Sequence, residues 1–182
     1  AGAGIAGGNY ELASDWLSVL GKTIDLDYEA SGSLLRLLPL IAIAGEPLPI
    51  PFNKDQATDV WSGLSDNFTR VDKEKRASRL LVLLSAMGIE PKIGAWKDII
   101  SNNNLSVNEK IPSTALRYQL HDAAKNNRIA EVVCISLIML GSKGPSEAGL
   151  VTLNAVIRAL RQINLEADAR KIAIEAAVLY VN

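Results

Sequence analysis

Apolar residues along the chain recur three and four positions apart, which is the spacing that places them on one face of an α-helix. Sustained alternation of apolar and polar residues is missing, and no Asn-Gly or Asp-Gly turn links two β-branched runs. The pattern therefore predicts an all-α protein of about nine helices. In chain order they are expected at residues 11–23, 28–44, 55–68, 72–87, 93–102, 113–125, 128–140, 145–164 and 166–180.

Three of these helices are apolar nearly all round, and each ends at a glycine with a proline soon after. The closing glycines are Gly45, Gly88 and Gly141, and the prolines are Pro47, Pro91 and Pro145. Recurrence every ~40–50 residues is typical of stacked helical hairpins. A helix that is hydrophobic on every side must be buried on every side. We therefore expect the three apolar helices to form an inner layer, with the amphipathic helices outside.

Two helix starts are also predicted from local residues. Asp72 is the expected N-cap of the helix that runs to Met87, because a short acidic side chain can accept from the first free amides. Pro145 is the expected first-turn residue of the helix that runs to about Asn164, followed by Glu147, which favours the helix dipole.

The pairing of an amphipathic helix with an apolar one resembles tetratricopeptide-like α-hairpin solenoids. Residues 16–21 carry the Trp, Leu and Gly of that motif, with one extra residue between Trp16 and Leu20. Residues 77–81 keep its step from Ala to an apolar residue, and Pro91 ends the hairpin slightly late. The resemblance implies antiparallel hairpins stacked as a short solenoid, and a compact multi-helix bundle is the alternative.

The chain of 182 residues is expected to form one helical-repeat domain over residues 10–182. Residues 1–9 contain four glycines and are interpreted as a flexible linker or a tag remnant, because each Gly would cost a helix about 1 kcal/mol. We infer that the chain is an excised or processed piece of a longer protein, so its localisation is open. Its uncharged apolar stretches fall short of the ~20 residues that span a bilayer.

Charge and cysteine content narrow the classes of partner. The net charge of −1 removes any long-range argument for nucleic acid or an anionic membrane. A single cysteine, Cys134, excludes an internal disulfide. One His and one Cys cannot supply the three or four ligands that zinc needs, so we expect no metal and no cofactor.

Three motifs have a catalytic or ligand-binding interpretation that the sequence does not favour. His121 and Asp122 could form a general-base couple, but the obvious nucleophile, Cys134, lies in an apolar helix where thiols are usually buried and inert. Residues 25–29 space three carboxylates as a calcium loop does, yet Ala30 and Arg36 stand where the loop needs Gly and a bidentate acid. Residues 141–144 match the GXXG loop of KH domains, but a C-cap and turn suffice.

Four candidate partner surfaces remain. A basic stretch between residues 70 and 97 includes Lys73 and Arg76, and is either a docking site for an acidic partner or a solvated helix face. Trp96 is the best candidate for an exposed anchor, since Trp is enriched in binding hot spots as well as in cores. The proline-rich segment 47–52 carries Ile50 and Phe52, which either enter a partner or pack on the core. The last helix brings Leu179 and Tyr180 to the chain end with no polar cap.

These observations favour a non-enzymatic protein-interaction or assembly module. Its partner would be a protein or peptide, or a second copy of the chain bound through the last helix. Nucleic acid is not expected, because no aromatic platform is interleaved with the basic residues. The alternatives are a basic-patch docking domain and, less favoured, a helical enzyme with a cleft near His121 or Arg36.

Overall fold

The computed structural model describes residues 4, 7–8, 10–23, 28–45, 60, 64, 67–100 and 111–181, and the structural statements below concern these residues. They contain eight α-helices and no strand, which confirms the all-α prediction. In chain order the helices are α1 (Tyr10–Thr23), α2 (Tyr28–Ala44), α3 (Arg70–Ala86), α4 (Ile93–Ile100), α5 (Thr114–Lys125), α6 (Ile129–Leu140), α7 (Leu150–Gln162) and α8 (Glu166–Val181). The helix predicted at 55–68 lies largely outside these residues, and its expected end at Asn67 and Phe68 is not helical.

The last two helices lie at the centre of the packing. Helix α7 packs against α3, α5, α6 and α8, and α8 packs against α2, α3 and α7. The last helix has no polar cap in its sequence, and its described apolar residues are covered by three other helices of the chain. Ala173, Ala176 and Ala177 of α8 are fully buried, and their small side chains allow the neighbouring helices to approach closely.

The predicted inner layer is present for two of the three apolar helices. The C-terminal halves of α2 and α3 are largely buried, including Leu40, Ile43, Leu80 and Leu84. Helix α6 is different, because it packs mainly against α5 and α7 and has no third neighbour of comparable extent among the helices that the structure describes. Two neighbours cannot enclose a helix, and one side of α6 consequently faces solvent.

Two of the closing glycines lie beneath arginines from the C-terminal hairpin. Gly45 and Gly88 both have positive φ, 70° and 79°, as a left-handed C-cap requires. Nη1 of Arg161 donates to the carbonyl oxygen of Ala86 at 2.9 Å, and Nη1 of Arg170 donates to that of Ile43 at 2.9 Å. Glu166 pairs with both guanidinium groups, each at 3.0 Å. The corner between α7 and α8 thus holds the ends of α2 and α3.

Both predicted helix starts need correction. Helix α3 begins one turn earlier than Asp72, with Thr69 as N-cap: its hydroxyl accepts from the Asp72 amide at 3.2 Å and donates to the Asp72 carboxylate at 2.6 Å. Helix α7 begins at Leu150, with Gly149 as N-cap, and not at Pro145.

Arg79 explains why the chain is not helical after Pro145. It is 6% exposed, and its guanidinium donates to the carbonyl oxygens of Pro145, Ser146 and Ala148 at 2.8–3.1 Å. Those oxygens would accept from backbone amides if the segment were an α-helix. A fourth bond, from Nε to the carbonyl of Ala176 at 2.9 Å, ties the same side chain to α8. A side chain from α3 therefore fixes the turn between α6 and α7.

Candidate interaction surface

The solvent-facing side of α6 is an uninterrupted apolar surface. Its residues follow the i, i+3, i+4 spacing of one helix face, and every one of them is exposed. We call this surface the α6 face; it consists of Ala130, Val133, Cys134, Leu137, Ile138 and Gly141. Leu137 and Ile138, its largest members, are 65% and 64% exposed. A contiguous apolar patch of this kind on a soluble domain marks an interaction site more often than a scattering of single side chains does.

The opposite side of α6 explains why the helix stays in place while this face is open. Val132 is fully buried, and Ile135 and Ser136 are buried beside it. These residues pack towards α5 and α7 and anchor the helix. After Glu131 the helix contains no charged residue. Its outer face therefore lacks the charged side chains that usually cover an exposed helix face.

A cavity of about 460 Å³ lies at the C-terminal end of the α6 face. Met139 and Leu140 form its apolar side, and Lys143, Glu147 and Thr152 contribute polar groups. The N-terminus of α7 opens onto it at Gly149, which provides no side-chain cap for the first amides. Residues 141–144, which match a GXXG loop, form the turn here, as the C-cap interpretation predicts. A positive partial charge at this helix end would favour an acidic group beside Lys143.

The structure describes two of the three tryptophans. Trp96, the candidate for an exposed anchor, is half-buried and packs against the core. Trp16 is 54% exposed on α1. Trp61 lies outside the described residues. Among the described helices, α1 packs mainly against α2, which leaves part of its apolar surface exposed.

The basic stretch divides into residues with different roles. Arg79 is buried and serves the carbonyl groups described above. The Arg76 guanidinium lies 3.9 Å from the centre of the Phe68 ring, and Arg70 pairs with Glu74 at 3.5 Å. Lys73 and Arg76 are both only partly exposed. Three arginines of the stretch are therefore engaged within the chain, which weakens the case for a docking site there.

The other predicted surfaces lie outside the residues or side chains that the structure describes. Ile50 and Phe52 fall in the range 46–59, and the carboxylates at 25 and 27 in the range 24–27, both outside the described residues. Leu179 and Tyr180 belong to α8, but their side chains are also outside the description.

The described residues give the catalytic hypothesis no supporting arrangement of side chains. The Asp122 carboxylate is engaged by the Asn126 amide at 3.0 Å and by Arg128 at 2.6 Å. Cys134 is exposed, contrary to the expectation that it would be buried. Arg36 and His121 lie on α2 and α5, which are not a packed pair. Within the described part of the chain, no group of three His, Cys, Asp or Glu residues could hold a metal ion.

Two further findings bear on the class of protein. No helix in the described part of the chain is long and apolar enough to cross a membrane. Comparison with protein families, curated proteins and solved structures found no match.

The α6 face was missed because its sequence signal is ambiguous. An all-round apolar helix is normal in a core, and a similar apolar run forms the C-terminal half of α3, whose Leu81 and Leu83 are buried. The difference is the number of neighbouring helices. Neighbour number is set by the tertiary arrangement, so no local pattern in residues 129–140 carries it.

Proposed function

We propose that the chain is a non-enzymatic protein-interaction or assembly module, built as a compact bundle of helical hairpins, whose recognition surface is the α6 face. The observation that carries the proposal is the exposure of Leu137 and Ile138 in the middle of an apolar helix face. Burying two such side chains gains about 1.5–3 kcal/mol each, so a partner helix or peptide gains from covering them.

Contacts between distant parts of the chain support the compact-bundle form of the proposal. Arg170 of α8 reaches the end of α2, 127 positions away, and Arg79 of α3 reaches α8. In an open solenoid each repeat contacts only its neighbours. A closed bundle is rigid, and a rigid support reduces the entropy lost when its surface binds a partner.

The basic-patch alternative has less support. Its central residues are partly buried or engaged with Phe68, Glu74 and backbone carbonyl groups. The α6 face, by contrast, offers several contiguous side chains that make no comparable contacts. Apolar burial is also the larger contribution, because an exposed ion pair gains only about 0–1 kcal/mol.

Site-specific photo-crosslinking in the protein's native cells tests this function. A photoreactive amino acid at Leu137 is expected to give discrete adducts with a protein, because a partner would cover that side chain. The matched control is the same amino acid at Ile93 on α4, which is 79% exposed but does not belong to the α6 face. Adducts of equal yield at both positions, or none at Leu137, would contradict the assignment of the surface.

A further inference from the structure

The cavity between the end of α6 and the start of α7 is lined by polar side chains that have no partner within the described part of the chain. Lys143 and Glu147 both line it, and neither forms an ion pair with a described residue. Thr152 also lines the cavity and is only 3% exposed, and its hydroxyl makes no hydrogen bond to a described residue. Buried hydroxyl groups normally have a partner, so this hydroxyl is available to a molecule bound in the cavity.

The backbone adds further donors at the same place. The first backbone hydrogen bond of α7 runs from the Leu153 amide to the Gly149 carbonyl oxygen at 3.0 Å. The Thr152 amide precedes that bond, and its helical acceptor, the Ala148 carbonyl oxygen, accepts instead from Arg79 at 3.1 Å. Gly149 provides no side-chain cap. Because Gly149 and Thr152 both line the cavity, the start of α7 presents amide donors and the positive end of its dipole to it.

We propose that this cavity binds a small zwitterion with an apolar side chain, which is the chemistry of a free α-amino acid such as leucine. The carboxylate lies at the start of α7, where the Thr152 hydroxyl donates to it and Lys143 neutralises its charge. Glu147 pairs with the ammonium group. Met139 and Leu140 cover the hydrocarbon side chain.

The charges of the cavity favour this class over simpler ligands. Glu147 would repel a phosphate or sulfate, and Lys143 together with the positive end of α7 would repel a simple amine. A zwitterion satisfies both charges, and Glu147 lies only two residues before the N-cap Gly149, so the two charged regions are close together. The volume of about 460 Å³ falls in the range of small-molecule sites, about 300–1,000 Å³.

This site is separate from the surface assigned to a protein partner. It adjoins the α6 face and shares only Gly141 with it. The proposal therefore does not rest on the proposed function, and a failure of either one leaves the other in place.

Titration of the full ¹⁵N-labelled chain with leucine, followed by amide NMR spectra, tests the proposal. Leucine is expected to bind with a dissociation constant on the order of 0.1–1 mM and to shift the amide signals of Gly149 and Thr152. Two leucine analogues separate its charges. 4-Methylpentanoate lacks the amino group and 3-methylbutylamine lacks the carboxylate, and each is expected to bind about tenfold more weakly or worse.

Two hydroxyl deletions form a matched pair of variants. Thr152→Val is expected to weaken leucine binding about tenfold, because a hydrogen bond to a carboxylate is lost. It should leave thermal stability unchanged, since the hydroxyl has no partner among the described residues. Ser136 is equally buried and its hydroxyl also has no partner, but it does not line the cavity. Ser136→Ala is therefore expected to leave leucine binding unchanged.

Glu147→Gln tests the contact with the ammonium group. It is expected to weaken leucine binding about tenfold and to leave 4-methylpentanoate binding no weaker than in the unmodified chain, so that the two dissociation constants converge. Glu147 is exposed, so its substitution does not disturb the core and provides a second variant should Thr152→Val fail to fold. Helix content and thermal stability are measured for every variant.

Four results would each overturn the proposal. The first is the absence of any shift with leucine at about 10 mM. The second is unchanged leucine binding in both Thr152→Val and Glu147→Gln. The third is 4-methylpentanoate or inorganic phosphate binding as tightly as leucine, which contradicts the zwitterion. The fourth is equal weakening by Ser136→Ala and Thr152→Val, which would place the effect in the packing of α6 and α7 and not in the cavity.

Discussion

At the scale of single residues, Gly45 and Gly88 have two constraints that act together. Each needs positive φ to end its helix, and each lies against a guanidinium group that a side chain would displace. A Cβ added to Gly88 would lie 2.9 Å from Nη1 of Arg161. A Cβ added to Gly45 would collide with Arg170 even more severely. The Gly that stops the helix therefore also allows an arginine to bind the helix end.

Gly88→Ala should lower the free energy of unfolding by about 2 kcal/mol, because a left-handed backbone costs a non-glycine residue 1–2 kcal/mol and Arg161 must also move. Gly94→Ala provides the matched control, since nothing lies within 4 Å of its added Cβ and its φ is not positive. It should raise stability by about 0.5 kcal/mol. Urea unfolding curves measure both. Equal effects of the two substitutions would show that neither the positive φ of Gly88 nor its contact with Arg161 matters for stability.

These glycines also show which structural features the local sequence can predict. The positive φ at Gly45 and Gly88 follows from a glycine that ends an apolar helix before a proline, and the structure confirms it. The arginines above them could not be predicted, since Arg161 lies 75 positions from Ala86. Many exposed arginines have the same local sequence as Arg161, and only the packing of α7 on α3 selects it.

At the scale of elements, Arg79 links α3, α8 and the turn before α7. Its guanidinium donates to four carbonyl oxygens, three of them in the turn before α7 and one in α8. In the sequence Arg79 belongs to the basic stretch between residues 70 and 97, for which a docking site or a solvated helix face was predicted. A charged residue can be placed in the core only when its partners are known, and here the partners are backbone carbonyl groups, which every segment of the chain possesses.

Arg79→Met should lower the free energy of unfolding by about 3 kcal/mol or more, because it keeps the apolar stem but leaves buried carbonyl groups without a donor. Arg117→Met removes a guanidinium from an exposed position on α5 and should change stability by less than about 0.5 kcal/mol. Denaturant unfolding followed by circular dichroism compares the two. If Arg79→Met were as harmless as Arg117→Met, the carbonyl contacts would contribute little.

Helices α3 and α6 show that the local sequence of a helix does not determine how far the helix is buried. Both were predicted, with the start of α3 placed too late, and the C-terminal half of α3 and most of α6 are apolar nearly all round. Helix α3 packs against α2, α4, α7 and α8, whereas α6 has α5 and α7. The hydrophobic pattern predicts how much apolar surface a helix carries. The arrangement of the other helices decides how much of that surface is buried within one chain. The α6 face is the apolar surface of α6 that the other described helices leave exposed.

At the scale of the whole molecule, the last helix joins parts that are far apart in sequence. Helix α8 packs against α2, α3 and α7, and two arginine contacts attach it to α2 and α3. A linear stack of hairpins would have the last helix at one end, where its loss would affect only its neighbours. The contacts of α8 favour a closed arrangement in which the C-terminal hairpin completes the core.

Deleting one terminal helix at a time distinguishes these arrangements. Removal of residues 166–182 should abolish the cooperative thermal transition, because α2, α3 and α7 would each lose a buried face. Removal of residues 1–23 deletes α1, a helix of similar length that packs mainly against α2 among the described helices, and should shift the melting temperature by only a few degrees. Circular dichroism during heating measures both. A linear stack would lose one terminal unit in either case, and its two truncated forms would melt alike. A closed core would tolerate the loss of α1 but not of α8, because α8 covers apolar surface on α2, α3 and α7.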